Sequence, residues 1–160
     1  MADTESARPL RVLMVHNAYQ QWGGEDAVVE SEIALLRQHG HTVLEYRRHN
    51  DEVNELPAWR AAAATLWSRR TAHEVARELS GGDVDIVHCH NTFPLVSPSV
   101  YWAAHRAGVP VIQTLHNFRL LCPQAMLLRD GRICEACVGH VPWRAAMHAC
   151  YRDSRTQSSV

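Results

Sequence analysis

The chain predicts an α/β fold, a doubly wound parallel sheet, and three observations carry that expectation. Short apolar runs alternate with helix-period segments from Arg11 to Leu115, as in sheets covered by helices on both faces. The run Val111 to Leu115, set off by Gly108 and Pro110, reads as a fully covered parallel strand. The same dipeptide then recurs at or just beyond four apolar runs: His16-Asn17, His49-Asn50, His90-Asn91 and His116-Asn117. Ligands of open α/β sheets bind just outside the carboxyl ends of the strands. Parallel neighbours ending in His-Asn would therefore give one polar, ligand-facing rim.

Each element has its own signal. Arg11 to Val15 is the first strand. The loop His16 to Gly24 leads into a helix from about Glu25, with Val29, Ile33 and Leu36 on one face. Glu25 and Asp26 sit in its first turn, where carboxylates suit the helix dipole, and Gly40 closes it. Thr42 to Tyr46 is the second strand. One helix is expected from Asn54 or Glu55 to Leu79, with Pro57 near its first turn and Trp59, Ala63, Leu66 and Trp67 as its inner stripe. Val84 to Cys89 is the third strand. Ser97-Pro98 starts the next helix, whose Val100, Ala103, Ala104 and Ala107 should face inward before Gly108 stops it. Val111 to Leu115 is the fourth strand. Met126 to Arg129 and Arg132 to Cys134 flank Asp130-Gly131 and predict a hairpin on a two-residue turn. Trp143 to Tyr151 is a short helix candidate. Residues 1–9 read as a disordered leader, and the polar end from Arg152 reads as a tail or a truncation.

Bulk composition narrows the function. A chain of 160 residues has room for one domain with a real core. Lys and Arg number 16 against 17 Asp and Glu, so no basic surface favours nucleic acid. No secretory leader is apparent, and no apolar run approaches the roughly 20 residues that span a bilayer. A cytoplasmic protein is expected, with contact at the inner membrane face left open. Five cysteines in a reducing compartment are thiols or metal ligands before they are disulfides.

Three constellations could carry chemistry. Trp22-Gly23-Gly24-Glu25 lies between the first strand and helix. Glycines there admit close approach to free helix N–H groups, which favour an anion; the other reading is a turn that merely needs glycine. It is not a GxGxxG fingerprint, which disfavours a nicotinamide-dependent oxidoreductase. The second is the rim itself: His16, Asn17, His90, Asn91, His116 and Asn117, with His88 packed beneath it and Arg119 just past its end. The third is Cys122, Cys134, Cys137 and Cys150. One C-x2-C pair with two further cysteines suits a structural zinc site, while two disulfides or free thiols stay open. Cys89 reads as a small buried apolar residue. No nucleophile elbow, phosphate-binding loop or metalloprotease helix is present, and Glu25-Asp26 and Asp51-Glu52 read as solvated surface charges.

The segments RVLMVHNAYQQWGGED, DIVHCHNTFPLVSPSVYWAAHRAGVPVIQTLHNFRLLCP and LLRDGRICEACVG together resemble the amino-terminal half of a retaining family 4 type glycosyltransferase with the GT-B fold. The likeness runs from about Arg11 to Arg155. It implies a Rossmann-like acceptor-side domain over residues 10–160, with a Cys-rich insertion over 118–151. A donor-binding carboxyl-terminal domain would be missing from the chain, leaving it inactive alone. It also implies a nucleotide-sugar donor, a glycan or lipid-linked hydroxyl acceptor, hexosyl transfer with retention and no catalytic metal. Gly23-Gly24, with Glu25, would approach the donor phosphates or the acceptor. His116 would stand beside the donor sugar. His16, Asn17, His90, Asn91, Asn117 and Arg119 would line the acceptor cleft. The rival from another class is a non-catalytic zinc-containing module that binds a nucleotide or protein partner.

Overall fold

The computed structural model describes residues 8–159; most of the expected leader over 1–9 lies outside them. The chain divides into two compact units, Met1–Thr114 and Leu115–Val160.

The first unit is the expected parallel sheet. β1 (Arg11–Ala18), β2 (Thr42–His49), β3 (Ile86–Cys89) and β4 (Val111–Gln113) lie in the order β2-β1-β3-β4, every pair parallel. β1 is central and buried over the seven residues from Val12 to Ala18, as a strand covered on both faces must be. Its side chains alternate between two cores. Leu13 and Val15 face Val75, Leu79, Val100 and Ala104 of α3 (Arg69–Leu79) and α4 (Ser99–Ala107). Met14 faces Val29 and Ile33 of α1 (Gly24–Gln38).

Several expectations are corrected. The single helix to Leu79 is instead a 3-10 turn, Asn50–Glu55, then α2 (Ala58–Leu66), then α3. The break has a local cause. Trp67 is extended, at φ −155°, and Ser68 caps α3 by accepting the Thr71 N–H at 3.2 Å. The supposed inner stripe faces solvent: Trp59, Leu66 and Trp67 are all exposed. Thr71, Val75 and Leu79 of α3 are the buried stripe instead. β4 stops at Gln113 and is an edge strand with Ile112 exposed, not a fully covered one. β1 and β2 each run three residues further than expected, to Ala18 and His49. α4 begins one residue late, with Pro98 in the cap position, and Ala107 is exposed.

The second unit carries little regular structure. β5 (Leu128–Arg129) and β6 (Arg132–Ile133) form the expected hairpin. Asp130 and Gly131 both have positive φ, at 52° and 74°, as a two-residue hairpin turn demands. α5 (Trp143–Met147) is shorter than its sequence signal. Among the described residues of this unit only Ala145 and Ser158 are buried.

Candidate functional site

Strand order locates the mouth of the sheet. β1 leads through α1 to β2 on one side, while β3 lies against its other side. The order in which strands are added reverses between β1 and β3, and a switch point of this kind is where open α/β sheets bind ligands, outside the strands' carboxyl ends. His16 and Asn17 end β1 there, and His90 and Asn91 follow β3.

The amides tie the mouth together. Asn17 N–H donates to the Asn91 carbonyl at 2.8 Å, and Asn91 Nδ2 returns a bond to the Asn17 carbonyl at 3.1 Å. Asn17 Nδ2 donates to Asn50 Oδ1 at 2.7 Å, and Asn17 Oδ1 accepts the Leu95 N–H at 3.2 Å. Three of the four recurring asparagines thus meet in one network. Asn17 is wholly buried, so its bonds hold the loop after β3 to the end of β1.

The imidazoles lie on the α1 face and each meets an acid. His16 Nε2 is 2.9 Å from Asp26 Oδ1, with both side chains buried. The other carboxylate oxygen of Asp26 accepts the Gly23 N–H at 2.8 Å. Asp26 therefore joins the end of β1 to the first turn of α1, from the position three residues past the cap. Burial opposes its charge, but the bonds from His16 and Gly23 prevail and hold its pKa below the usual carboxylate value. His90 Nε2 is 3.1 Å from Glu32 Oε2, and His88 Nδ1 is 3.7 Å from the same oxygen. Ligand atoms of Glu32, His88 and His90 all lie within 4.8 Å of one another, so this trio has the chemistry to accept a cation. His88 Nε2 also meets Thr114 Oγ1 at 2.8 Å.

Asp26 and Glu32 escaped the sequence reading, and Asp26 is no solvated surface charge. Two signals could have found them. Asp26 sits at capping-box spacing from Gly23, and Glu32 falls on the helical stripe of Val29 and Leu36.

Gly23 is extended, at φ −128° and ψ −179°, a conformation open to any residue. A Cβ at Gly23 would meet only ordinary contacts, the nearest at 3.5 Å, and one at Gly24 would meet nothing within 4 Å. Backbone conformation therefore does not explain this glycine pair. Glu25 beside it is half-buried. His16 Nδ1 and Arg48 Nη1 are buried with no hydrogen-bond partner among the described residues. Arg48 otherwise clamps Glu52, its Nη2 at 2.8 Å and its Nε at 2.9 Å from the carboxylate.

The remaining candidates belong to the second unit. Asn117 Oδ1 accepts the Arg119 N–H at 2.9 Å, and the Arg119 guanidinium stacks over Tyr151 at 5.1 Å. His116 is half-buried. Cys122, Cys134, Cys137 and Cys150 line one cavity with Leu128, Arg129, Arg144 and Ala145. All four are free thiols, as is the buried Cys89, whose pKa burial pushes up to about 12. Burial also raises Cys150, Arg129 opposes that, and the other three cysteines push it up further.

Among known families, the model of Glycosyltransferase Family 4 matches residues 22–148. No curated protein and no solved structure matches the chain. No helix among the described residues is long and apolar enough to cross a membrane.

Proposed function

The chain belongs to Glycosyltransferase Family 4, and from that premise we propose that it forms the acceptor side of a retaining transferase. The reaction moves a sugar, of hexose type, from a nucleotide-sugar donor to a hydroxyl on a glycan or lipid-linked glycan. A donor-gripping domain outside these 160 residues completes the enzyme, and the chain by itself turns over no donor.

One observation carries the reading: the mouth at the β1–β3 switch point, built by His16, Asn17, His90 and Asn91. Two others support it. The Gly23-Gly24 pair has no conformational need to be glycine, which suits close approach of a phosphate to the α1 amino terminus beside Glu25. His16 Nδ1 and Arg48 Nη1 are buried with no hydrogen-bond partner among the described residues, which native structures rarely leave without a reason.

The proposed chemistry needs no protein nucleophile and no catalytic metal. The bond from the anomeric carbon to the leaving phosphate breaks as the acceptor oxygen bonds to the same face. The acceptor proton passes to the departing phosphate oxygen. What the protein supplies is position and charge stabilisation. Gly23, Gly24 and Glu25 take the phosphate side. His90, Asn91, His16 and Asn17 shape the acceptor side. The family resemblance assigns His116 to the donor sugar. The exposed Trp59, Leu66, Trp67 and Trp102 support peripheral contact with the inner membrane face, where amphipathic aromatic rings settle.

The test is sugar-nucleotide turnover by the full-length enzyme carrying His116→Ala or Gly24→Val. Each should lower kcat/KM by about 100-fold or more with the circular dichroism spectrum unchanged. His39→Ala, at the exposed end of α1, should leave turnover intact. Unaltered turnover in both site variants rules the assignment out.

A further inference from the structure

The second unit poses a physical problem that the glycosyl-transfer reading leaves aside. It buries only Ala145 and Ser158 among its described residues. Its hairpin has two residues per strand, and its α-helix has five. Below roughly 70 residues a hydrophobic core rarely suffices, and small units of this kind are held by disulfides or a metal. Here the cysteines are free thiols. Four of them line one cavity of the unit, and among the described residues neither buried hydrophobic cluster includes any residue of it.

Chain turns bring them there from four separate places. Cys122 opens a tight turn closed by the Ala125 N–H on its carbonyl at 2.7 Å. Cys134 extends the hairpin, its N–H on the Leu127 carbonyl at 2.8 Å. Cys137 follows at the two-residue spacing of a metal knuckle, in a stretch turned by the Val138 N–H on the Glu135 carbonyl at 3.0 Å. Cys150 comes off the end of α5, held by its N–H on the Ala145 carbonyl at 3.0 Å. The cavity they line has a volume of about 20 Å³, room for one water-sized particle and too small for an iron–sulfur cluster. Arg129 and Arg144 stand in its wall, where they offset the excess negative charge that four thiolates leave on a divalent ion.

We propose that Cys122, Cys134, Cys137 and Cys150 bind one structural zinc ion, and that this ion takes the place of a hydrophobic core in the unit Leu115–Val160. Each thiol gives its proton to solvent on binding, and four sulfurs close the tetrahedral shell with no open position. The site is therefore structural and takes no part in the transfer chemistry. Among the described residues no three of these sulfurs lie within 4.8 Å of one another, as the ligand atoms of Glu32, His88 and His90 do. Zinc, with sulfur at about 2.3 Å, draws the shell inward across the cavity. Folding of this unit is then coupled to the metal, whereas folding of the sheet is not.

The intact chain, purified without added metal or chelator, should carry one zinc by elemental analysis. A thiol-specific mercurial should release that zinc across four equivalents. Cobalt exchanged into the site should show the sulfur-to-metal charge-transfer band and the strong visible bands of a tetrahedral thiolate site. Chelation should collapse amide-exchange protection over residues 122–150 and leave β1 and β3 protected, a readout that requires no variant to fold. Cys134→Ser with Cys137→Ser should abolish the metal, and Cys89→Ala should keep it. Zinc in fewer than about one chain in ten, with all four thiols alkylated at the rate of free cysteine, overturns the proposal. So does an intact mass showing two disulfides, or iron as the only metal. Zinc retained by the double variant places the ion elsewhere.

Discussion

β1 alone buries seven consecutive residues, while the whole described stretch after Thr114 buries two. The two parts of the chain have similar access to apolar side chains and dispose of them in opposite ways. Leu13, Val15, Val75, Val87 and Val100 lock into one core on the α3–α4 side. Leu120, Ile133 and Val141 of the second unit are each more than three-quarters exposed. The difference lies in element length. A parallel sheet with helices on both faces can shield apolar residues over several layers. Two-residue strands and a five-residue helix cannot, so whatever order that unit has must come from cross-links, turns and polar bonds. The comparison also separates kinds of chemistry. Polar groups at the sheet's mouth sit on a rigid frame and can be aimed, whereas those of the second unit are only as fixed as the turns that carry them.

Leu13, in the middle of the sheet core, is 1% exposed. Leu13→Ala should destabilise the sheet unit by about 2–5 kcal/mol, the lost transfer energy plus the cavity left behind. Urea denaturation followed by circular dichroism measures it. A loss below about 1 kcal/mol means that the core is looser than its burial indicates.

Next in size is the polar link from β1 to α1. Asp26→Ala leaves His16 Nε2 and the Gly23 N–H without their acceptor. For two groups in so buried a place the cost should be about 1–3 kcal/mol. Its pH dependence has a fixed sign. The folded pKa of Asp26 lies below its ordinary value, so the folded state prefers the carboxylate. The resulting stability is complete above the unfolded value of about 3.9. It is lost as pH falls through the lower folded value. The gap between wild type and Asp26→Asn should therefore narrow only below about pH 4. A gap that stays constant below about pH 4 shows that the charge of Asp26 contributes nothing to folding.

Sequence made much of this legible, and the exceptions have physical causes. The sheet was readable because burial on both faces of β1 writes the apolar run Val12 to Val15, and the Asp-Gly turn of the hairpin admits few other readings. The long helix misled because an Ala- and Trp-rich stretch has helical periodicity whether or not anything covers it. Trp59 and Leu66 fit an inner stripe by spacing and face water instead. The signal that cut the helix was one cap at Ser68. At the mouth, the imidazoles and amides announced themselves by repetition. Asp26 and Glu32 did not, because a charge on an amphipathic helix reads as surface until its partner, 58 residues away for Glu32 and His90, is placed beside it. The four cysteines were visible from spacing, while the missing core around them was not.

That helix break gives a smaller effect. Ser68 accepts the Thr71 N–H with its side chain and donates its own N–H to Ser97 Oγ at 2.8 Å. Only the first bond is lost in Ser68→Ala, so the cost should be about 1 kcal/mol. Ser97→Ala removes the acceptor of the second and should cost a similar amount. An additive double variant would mean that the two bonds act independently.

The smallest effect is expected where the second unit shows its apolar side chains to solvent. Ile133 is 83% exposed on the hairpin. If thiol-lined packing rather than apolar burial orders this unit, Ile133→Ser removes almost no buried surface and should change stability by less than about 0.5 kcal/mol. Amide exchange of the hairpin measures it locally, where a global melt would report the sheet. A loss above about 1 kcal/mol would mean that the outer face of the hairpin is covered in solution, and dilution would show by what. An effect that fades at low concentration identifies a second copy of the chain. One that persists shows that the unit packs on itself more closely than its exposed side chains indicate, and the contrast between the two units would shrink accordingly.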